Sequence, residues 1–238
     1  NIMSKIKIFA LGGLNENGKN MYVVEVNKDI FVFDAGLKYD NDINLGIDYI
    51  IPNIDYLIKN RKKIKGIFLT HGHEGNMGAT PDVLEQLPEV PVYGTKLTLE
   101  MVAKDIDRSI ANKVKLIEIK PHIKLNFGKN SIFPISVTHS IPDAVCYVLY
   151  TPDGAIVYTG DFVFDSTMQG TYKTDIGKLA YVGKQGVLCL LCESFYADRP
   201  GHTSPNNRVS DFIREVLNDT DDRIIATVMP AHYYRIQE

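Results

Sequence analysis

Two histidines separated by one residue, His71 and His73 in "THGHEGNMGA", follow the apolar run "IKGIFLT". Zinc ligands are often presented this way, at the end of a buried strand. Further along, His139 in "SVTHSIPDA" and Asp161 in "VYTGDFVFD" also come just past strand-like runs, and Asp34 closes "IFVFDAG". Zinc takes imidazole nitrogen and carboxylate oxygen, usually four donors, with one place left for water when the site is catalytic. His71, His73, His139 and Asp161 could make one such site. Any one of these histidines alone reads as an ordinary core or surface imidazole; their recurrence at the ends of successive strands is what points to a metal. His202 stands apart, in the polar stretch "ADRPGHTSPNN". After Glu74, a carboxylate that could reach a metal, come Gly75 and Asn76. Glycine has no donor, and a neutral amide is a poor substitute for imidazole on zinc.

These residues need strands that end on one edge. "KIKIFAL", "MYVVEV" and "IFVFDAG" are short and rich in β-branched and aromatic residues, as strands are, and Asn27, Lys28 and Asp29 form a hairpin turn. A helix over "IPNIDYLIKN" precedes the strand "IKGIFLT"; another, near 80–87, stops before Pro88. After the strand "VPVYG", Thr95 is placed to cap a helix through Arg108, with Leu97, Met101, Val102 and Ile106 turned inward. "VKLIEI", "IKLNF", "SIFPISV", "VCYVLYT", "AIVYTGD" and "VLCLLCES" return to strand character. A helix around 208–217 and a strand "RIIATVM" close the sequence. Helices fall between groups of strands instead of after each one. That pattern predicts two sheets packed face to face with helices outside, not a uniform parallel array.

Composition narrows the function classes. The chain has 238 residues, 45% of them hydrophobic, ample for a sizeable core. Its longest apolar runs are strand-length, far below the roughly 20 residues of a membrane span. Three cysteines in apolar runs (Cys146, Cys189, Cys192) fit a reducing compartment, and the expected location is the cytoplasm. The Cys189/Cys192 pair has no second pair to complete a zinc site and reads as core packing. A formal net charge of −3 lacks the basic footprint of a typical nucleic-acid binder, although bound divalent cations supply charge that no residue count records. The basic run "KNRKKIKG" reads as a solvated helix end. "LGGLNENGKN" lacks the Gly-Lys-Ser/Thr ending of a phosphate loop and reads as a turn-rich connection.

"HGHEGN", "THSIPDA" and "TGDF" together resemble the metallo-β-lactamase fold. "LGGLNENGKNMYVVE", "FDAGLKYD", "GIDYIIPNIDYL" and "RIQ" resemble the ribonuclease J family, in the β-CASP branch, along almost the whole chain. The resemblance implies an α/β, four-layer αββα sandwich over residues 1–200, with 201–238 as a linker and the beginning of a β-CASP domain that continues past Glu238. It implies two metal ions, zinc or manganese, that activate water against a phosphodiester of RNA. Within the family pattern His-x-His-x-Asp-His, His71, His73 and His139 match ligands of the first metal, and Asp161 matches the shared one. His139 and Asp161 thereby become the catalytic residues. Asp34 matches an aspartate that orients the histidine turn from behind. Gly75 and Asn76 stand where the second metal's Asp and His belong, so at most one zinc or manganese site is expected. Glu193, Ser194, Phe195 and Tyr196 replace the usual Asp-Ser-Thr-Asn. These departures resemble the second, catalytically weak paralog of the family. Two functions are then implied as alternatives. One is a slow 5′-to-3′ exoribonuclease, with internal cleavage as a further activity, in rRNA and mRNA maturation and decay. The other is a non-catalytic RNA-binding subunit that stabilises an active ribonuclease J paralog in a homo- or hetero-oligomer.

Overall fold

Alternation of apolar side chains along the strands sorts them onto two faces, and in the central strands both faces are covered. In a computed structural model that describes residues 3–40, 46–201 and 206–237, the chain forms two sheets. The first contains β1 (Ile6–Gly12), β2 (Met21–Val26), β3 (Asp29–Phe33), β4 (Ile64–Phe68), β5 (Val92–Gly94) and β6 (Leu116–Glu118), in that spatial order. β1, β2 and β3 are antiparallel neighbours, whereas β3 through β6 run parallel. The second sheet contains β7 (Leu125–Phe127), β8 (Asn130–Ser136), β9 (Val145–Thr151), β10 (Gly154–Tyr158) and β11 (Val187–Leu191), in the order β11-β10-β9-β8-β7.

β3 shows why the sheets stack. Phe31 and Phe33 point into the space between the sheets, with Phe68, Ile132, Tyr147 and Leu149, while Ile30 and Val32 point the other way, into a cluster with Leu57, Val83, Leu84 and Leu99. Those outer partners come from helices α1 (Asp55–Lys59), α3 (Thr80–Gln86) and α4 (Lys96–Asp105). The far face of the second sheet, with Ile135, Cys146, Val148 and Val157, meets Val182 of α5 (Ile176–Gln185). The four layers are helix, sheet, sheet and helix, as expected. Aromatic rings fill the middle: Phe68 stacks on Tyr93 with centroids 4.8 Å apart and meets Phe127 and Tyr147 edge-on. α2 (Glu74–Met77) and α6 (Asn206–Asn218) complete the set with α7 (Tyr233–Gln237).

Several local expectations need correction. "RIIATVM" forms no strand: its residues pair with no strand among those described, and Ile225 is 84% exposed. β-branched residues favour extended backbone, but a strand exists only where a neighbouring edge offers hydrogen bonds. The sequence pattern gives no sign of α5 or α7. The helix after Thr95 stops at Asp105, not Arg108, and buries Leu99 more deeply than Leu97. Thr95 has the extended backbone of a cap, yet its hydroxyl bonds the Asp143 carbonyl (3.1 Å) and lies 3.2 Å from the Thr98 hydroxyl, leaving the helix amides uncapped by it. His202 lies outside the described residues. Among the described residues, no helix is long and apolar enough to cross a membrane.

Candidate metal centre

β3 and β4 of the first sheet and β8 and β10 of the second all end at one edge, and each delivers a residue there. The loop after β3 is sewn to the turn after β4 by backbone bonds: Asp34 N donates to Phe68 O (3.0 Å), Ala35 N to Asn76 O (2.7 Å) and Leu37 N to Glu74 O (2.9 Å). The second sheet adds its own ties, from Val145 N to Thr70 O (2.9 Å) and from the Tyr147 hydroxyl to Leu69 O (2.7 Å). Thr138 is bound through its backbone to Val163 and Thr174, which brings His139 beside Asp161.

The resulting cluster is His71, His73, His139 and Asp161, whose four ligand atoms lie within 4.8 Å of one another. The three imidazoles are mutually edge-on, with ring centroids 4.7–4.8 Å apart. Hydrogen bonding sets which nitrogen of His71 and of His73 faces inward. Asp34, fully buried, accepts from Thr70 N (2.8 Å), from the Thr70 hydroxyl, from Asn76 Nδ2 (2.9 Å) and from the Tyr158 hydroxyl (2.8 Å). The Thr70 hydroxyl has one proton, and Asp34 takes it. Its oxygen therefore accepts from His71 Nδ1, 2.9 Å away, and the lone pair of His71 sits on Nε2. That Nε2 is buried without a hydrogen-bond partner, 3.6 Å from Asp161 Oδ2. His73 Nε2 lies 3.3 Å from the carbonyl of Ala231, which can only accept, so its lone pair is on Nδ1, 3.0 Å from His139 Nε2.

Burial and the neighbouring imidazoles lower the pKa of His71 and His139, and burial lowers that of His73, so all three rings are neutral. Burial raises Asp161, an effect that His139, His73 and Asn76 partly offset. An orphaned buried nitrogen on His71, two further imidazoles whose Nδ1 and Nε2 lie 3.0 Å apart, and one carboxylate make a donor set suited to a cation. The group is compatible with a bound metal ion. Asp34 behind it is pushed up to about 7 by burial, against the pull of its four donors. Glu193 is likewise pushed up to about 7 by burial, with the Asp161 charge adding to it, and accepts from Phe162 N at 2.7 Å.

The positions beyond His73 behave differently. Asn76 is 2% exposed and its amide is committed as a donor to Asp34. Gly75 presents only backbone, its carbonyl accepting from Asn20 N (3.0 Å) and Asn20 Nδ2 (3.1 Å). Glu74 is exposed, bonds the Tyr39 hydroxyl and is not part of the four-residue group. A cleft of about 960 Å³ opens over the cluster, and Met229, Pro230, Ala231, His232 and Tyr233 form one of its walls. That wall is pinned by Tyr234 N to Ser140 O (3.2 Å) and by the Tyr172 hydroxyl to Gln237 Oε1 (3.1 Å). Sequence reasoning missed Thr70, Tyr158 and Ala231. Thr70 was readable as the residue between a buried strand and the first histidine. A backbone carbonyl 158 positions from its partner leaves no trace in sequence.

Comparison with known proteins agrees with this geometry. The family model described as the metallo-beta-lactamase superfamily matches residues 14–179. The chain is 41% identical over 234 residues, 98% of its length, to Ribonuclease J 2 of Staphylococcus aureus strain MRSA252. It belongs to the metallo-beta-lactamase superfamily. Ribonuclease J 2 of Staphylococcus saprophyticus is 39% identical over the same 98%. The chain spans 42% of the length of these curated relatives. Among solved structures, an Enterococcus faecalis V583 protein of unknown function matches with TM-score 0.69 at 18% identity, over 98% of this chain and 62% of that one. Unliganded yeast PDE1 matches with TM-score 0.54 at 13% identity, over 77% and 72%. At such identities these two speak for the superfamily fold alone. Of the residues that a ribonuclease J resemblance singles out, the fold brings His71, His73, His139 and Asp161 together, puts Asp34 directly behind them, and turns Asn76 into a donor.

Proposed function

We propose that the chain is the metal-centre portion of a ribonuclease J-type RNA hydrolase that works 5′ to 3′, also cuts internally, and turns over slowly because it holds one divalent ion, zinc or manganese, in place of two. Residues 1–200 act as the metallo-β-lactamase unit and 201–238 lead into a β-CASP domain. The observation that carries this reading is the asymmetry of the edge: three neutral imidazoles and Asp161 converge, whereas Gly75 and Asn76 offer the neighbouring position no comparable donor. His71, His73, His139 and Asp161 would hold a divalent ion, which would supply Lewis-acid charge and lower the pKa of water there. The protein's part is orientation. Thr70 and Asp34 hold His71 with Nε2 inward, Ala231 holds His73 with Nδ1 inward, and the cleft above admits a phosphodiester. One cation cannot clamp the attacking and leaving oxygens together, which is the physical reason for expecting slow hydrolysis.

The commitment of Asn76 supports a second reading, an RNA-binding subunit in the cytoplasm that pairs with a catalytically complete ribonuclease J paralog. Metal content and turnover of 5′-monophosphorylated RNA by the natural full-length protein separate the two. One equivalent of metal with slow turnover that His73→Ala removes is the expected result. Two equivalents defeat the single-ion argument, and turnover no higher than that of His73→Ala transfers the case to the partner role. Gly75→Asp combined with Asn76→His should raise the rate. A Cβ at position 75 approaches Gly18 Cα to 3.2 Å, so the first loop must yield by only a few tenths of an ångström.

A further inference from the structure

Two of the three clustered imidazoles are braced from behind, His71 by the Thr70 hydroxyl and His73 by the Ala231 carbonyl. His139 has no such brace: among the described residues, its ring makes a hydrogen-bonding contact with His73 alone. Its aim must therefore come from the backbone that carries it. That backbone leaves β8 at Ser136, so the N–H of Thr138 lies past the strand ladder and, with Thr138 fully buried, away from water. Thr174 supplies what the ladder does not. Its hydroxyl accepts from Thr138 N (2.8 Å) and donates to Thr138 Oγ1 (2.9 Å), and its own N donates to that oxygen (3.1 Å). On the other side, Thr138 O accepts from Val163 N (2.9 Å), which fixes the peptide joining Thr138 to His139. The segment around Thr174 is itself anchored, because Asp175 N donates to Ser136 O (3.1 Å) and Thr171 O accepts from Asp143 N (3.1 Å). We infer that Thr174 is a positioning residue, whose hydroxyl locks the chain just before His139 and so aims that imidazole at His71, His73 and Asp161.

The chemistry is specific to a hydroxyl. A hydroxyl accepts and donates at one atom, so Thr174 Oγ1 can satisfy Thr138 N–H and bond Thr138 Oγ1 together. Valine has nearly the shape of threonine but neither capacity, and the two are not interchangeable in a buried site for that reason. Thr174→Val would keep the packing and leave the buried Thr138 N–H without its acceptor, so the end of β8 must shift to find another. His139, one residue on, moves with it. His71 and His73 stay under their own braces.

The inference rests on the metal-centre reading above, and two readouts keep their failures apart. In the natural full-length protein with isotope-labelled histidine, held in chelator, the ring resonance of His139 is assigned by its loss in His139→Gln. Thr174→Val should shift that resonance, whereas Thr174→Ser, which keeps the hydroxyl, should leave it in place. Zinc affinity, read by competition with a chromophoric chelator, should fall about 10-fold in Thr174→Val and stay within about twofold in Thr174→Ser. Thr174→Ala, which also lacks the hydroxyl, takes the place of the valine variant if that does not fold. A role in stability alone would lower the melting temperature and move neither readout. An unmoved His139 resonance in the valine or alanine variant overturns the inference, as does zinc affinity there within about twofold of the unmodified value, or an equal loss in the serine variant. If the unmodified protein takes up no zinc, the metal-centre reading fails, and the His139 resonance by itself decides whether Thr174 aims the ring.

Discussion

Removing one oxygen atom from Tyr158 tests the hydrogen-bond chain that orients His71. The Tyr158 ring is packed against Phe33 and Tyr22, with centroids 5.5 and 5.3 Å away, and a phenylalanine ring in its place would keep that packing. What Tyr158→Phe deletes is the 2.8 Å bond to Asp34 Oδ2. A hydrogen bond to a charged acceptor contributes about 1.5–3 kcal/mol and one to a neutral acceptor about 0.5–1.5 kcal/mol. Asp34 passes from one case to the other near pH 7, because burial raises its pKa from 3.8 to about 7. The sign follows from that rise. Asp34 contributes stability that is fully present below its unfolded value and is lost as pH climbs through about 7, by roughly 4 kcal/mol in all. Tyr158→Phe should carry the folded pKa upward by about one unit, since one unit equals about 1.4 kcal/mol. In chelator, the melting temperature should therefore fall by about 3–12 °C at about pH 9 and by clearly less at about pH 5.5. The histidine terms are common to both proteins and cancel in the difference. Equal destabilisation at the two pH values would refute the assignment of Asp34 as a carboxylate that ionises inside the fold. Zinc affinity, read by competition with a chromophoric chelator, should drop about 10- to 100-fold as the support behind His71 loosens.

Three further outcomes follow from the same geometry. His71, His73 and His139 are neutral in the fold with lowered pKa, so their stabilisation is present above their unfolded value near 6.5 and is lost as pH falls below it; the melting temperature in chelator should fall progressively below that point, and a flat profile would contradict buried, neutral rings. Gln237→Ala removes the 3.1 Å bond from Tyr172 that pins the wall carrying Ala231; zinc affinity should fall about 2- to 10-fold with little change in melting temperature, and an unchanged titration would uncouple that wall from His73. Gly36→Ala places a Cβ 1.7 Å from the Gly75 carbonyl, backbone against backbone, so it should cost about 3 kcal/mol or more and displace the turn that carries Asn76, a shift that amide exchange at residues 74–77 would detect.

Most of the layered architecture was legible because its signal is local. Ile30, Phe31, Val32 and Phe33 alternate between two buried faces, and that alternation is written in the order of the residues. The metal-donor types were legible for a similar reason: two histidines one residue apart after an apolar run restrict the chemistry whatever surrounds them. "RIIATVM" misled because strand propensity names a conformation and not a partner. α5 was missed because its ten residues, with glycines at 177 and 183, pack only one deeply buried side chain, Val182, against the sheet.

Residue order alone determined the two-sheet design, the four candidate ligands, and the lack of metal-binding donors at Gly75 and Asn76. Tertiary structure alone decided which nitrogen of His71 and of His73 faces inward, because that depends on Thr70 and on a carbonyl 158 residues away. It also decided that Asn76 is a donor to the buried Asp34 and that this carboxylate sits deep enough for its pKa to reach about 7. Donor identity is a property of one side chain, whereas protonation, tautomer and orientation are set by whatever the fold brings within about 3 Å of it.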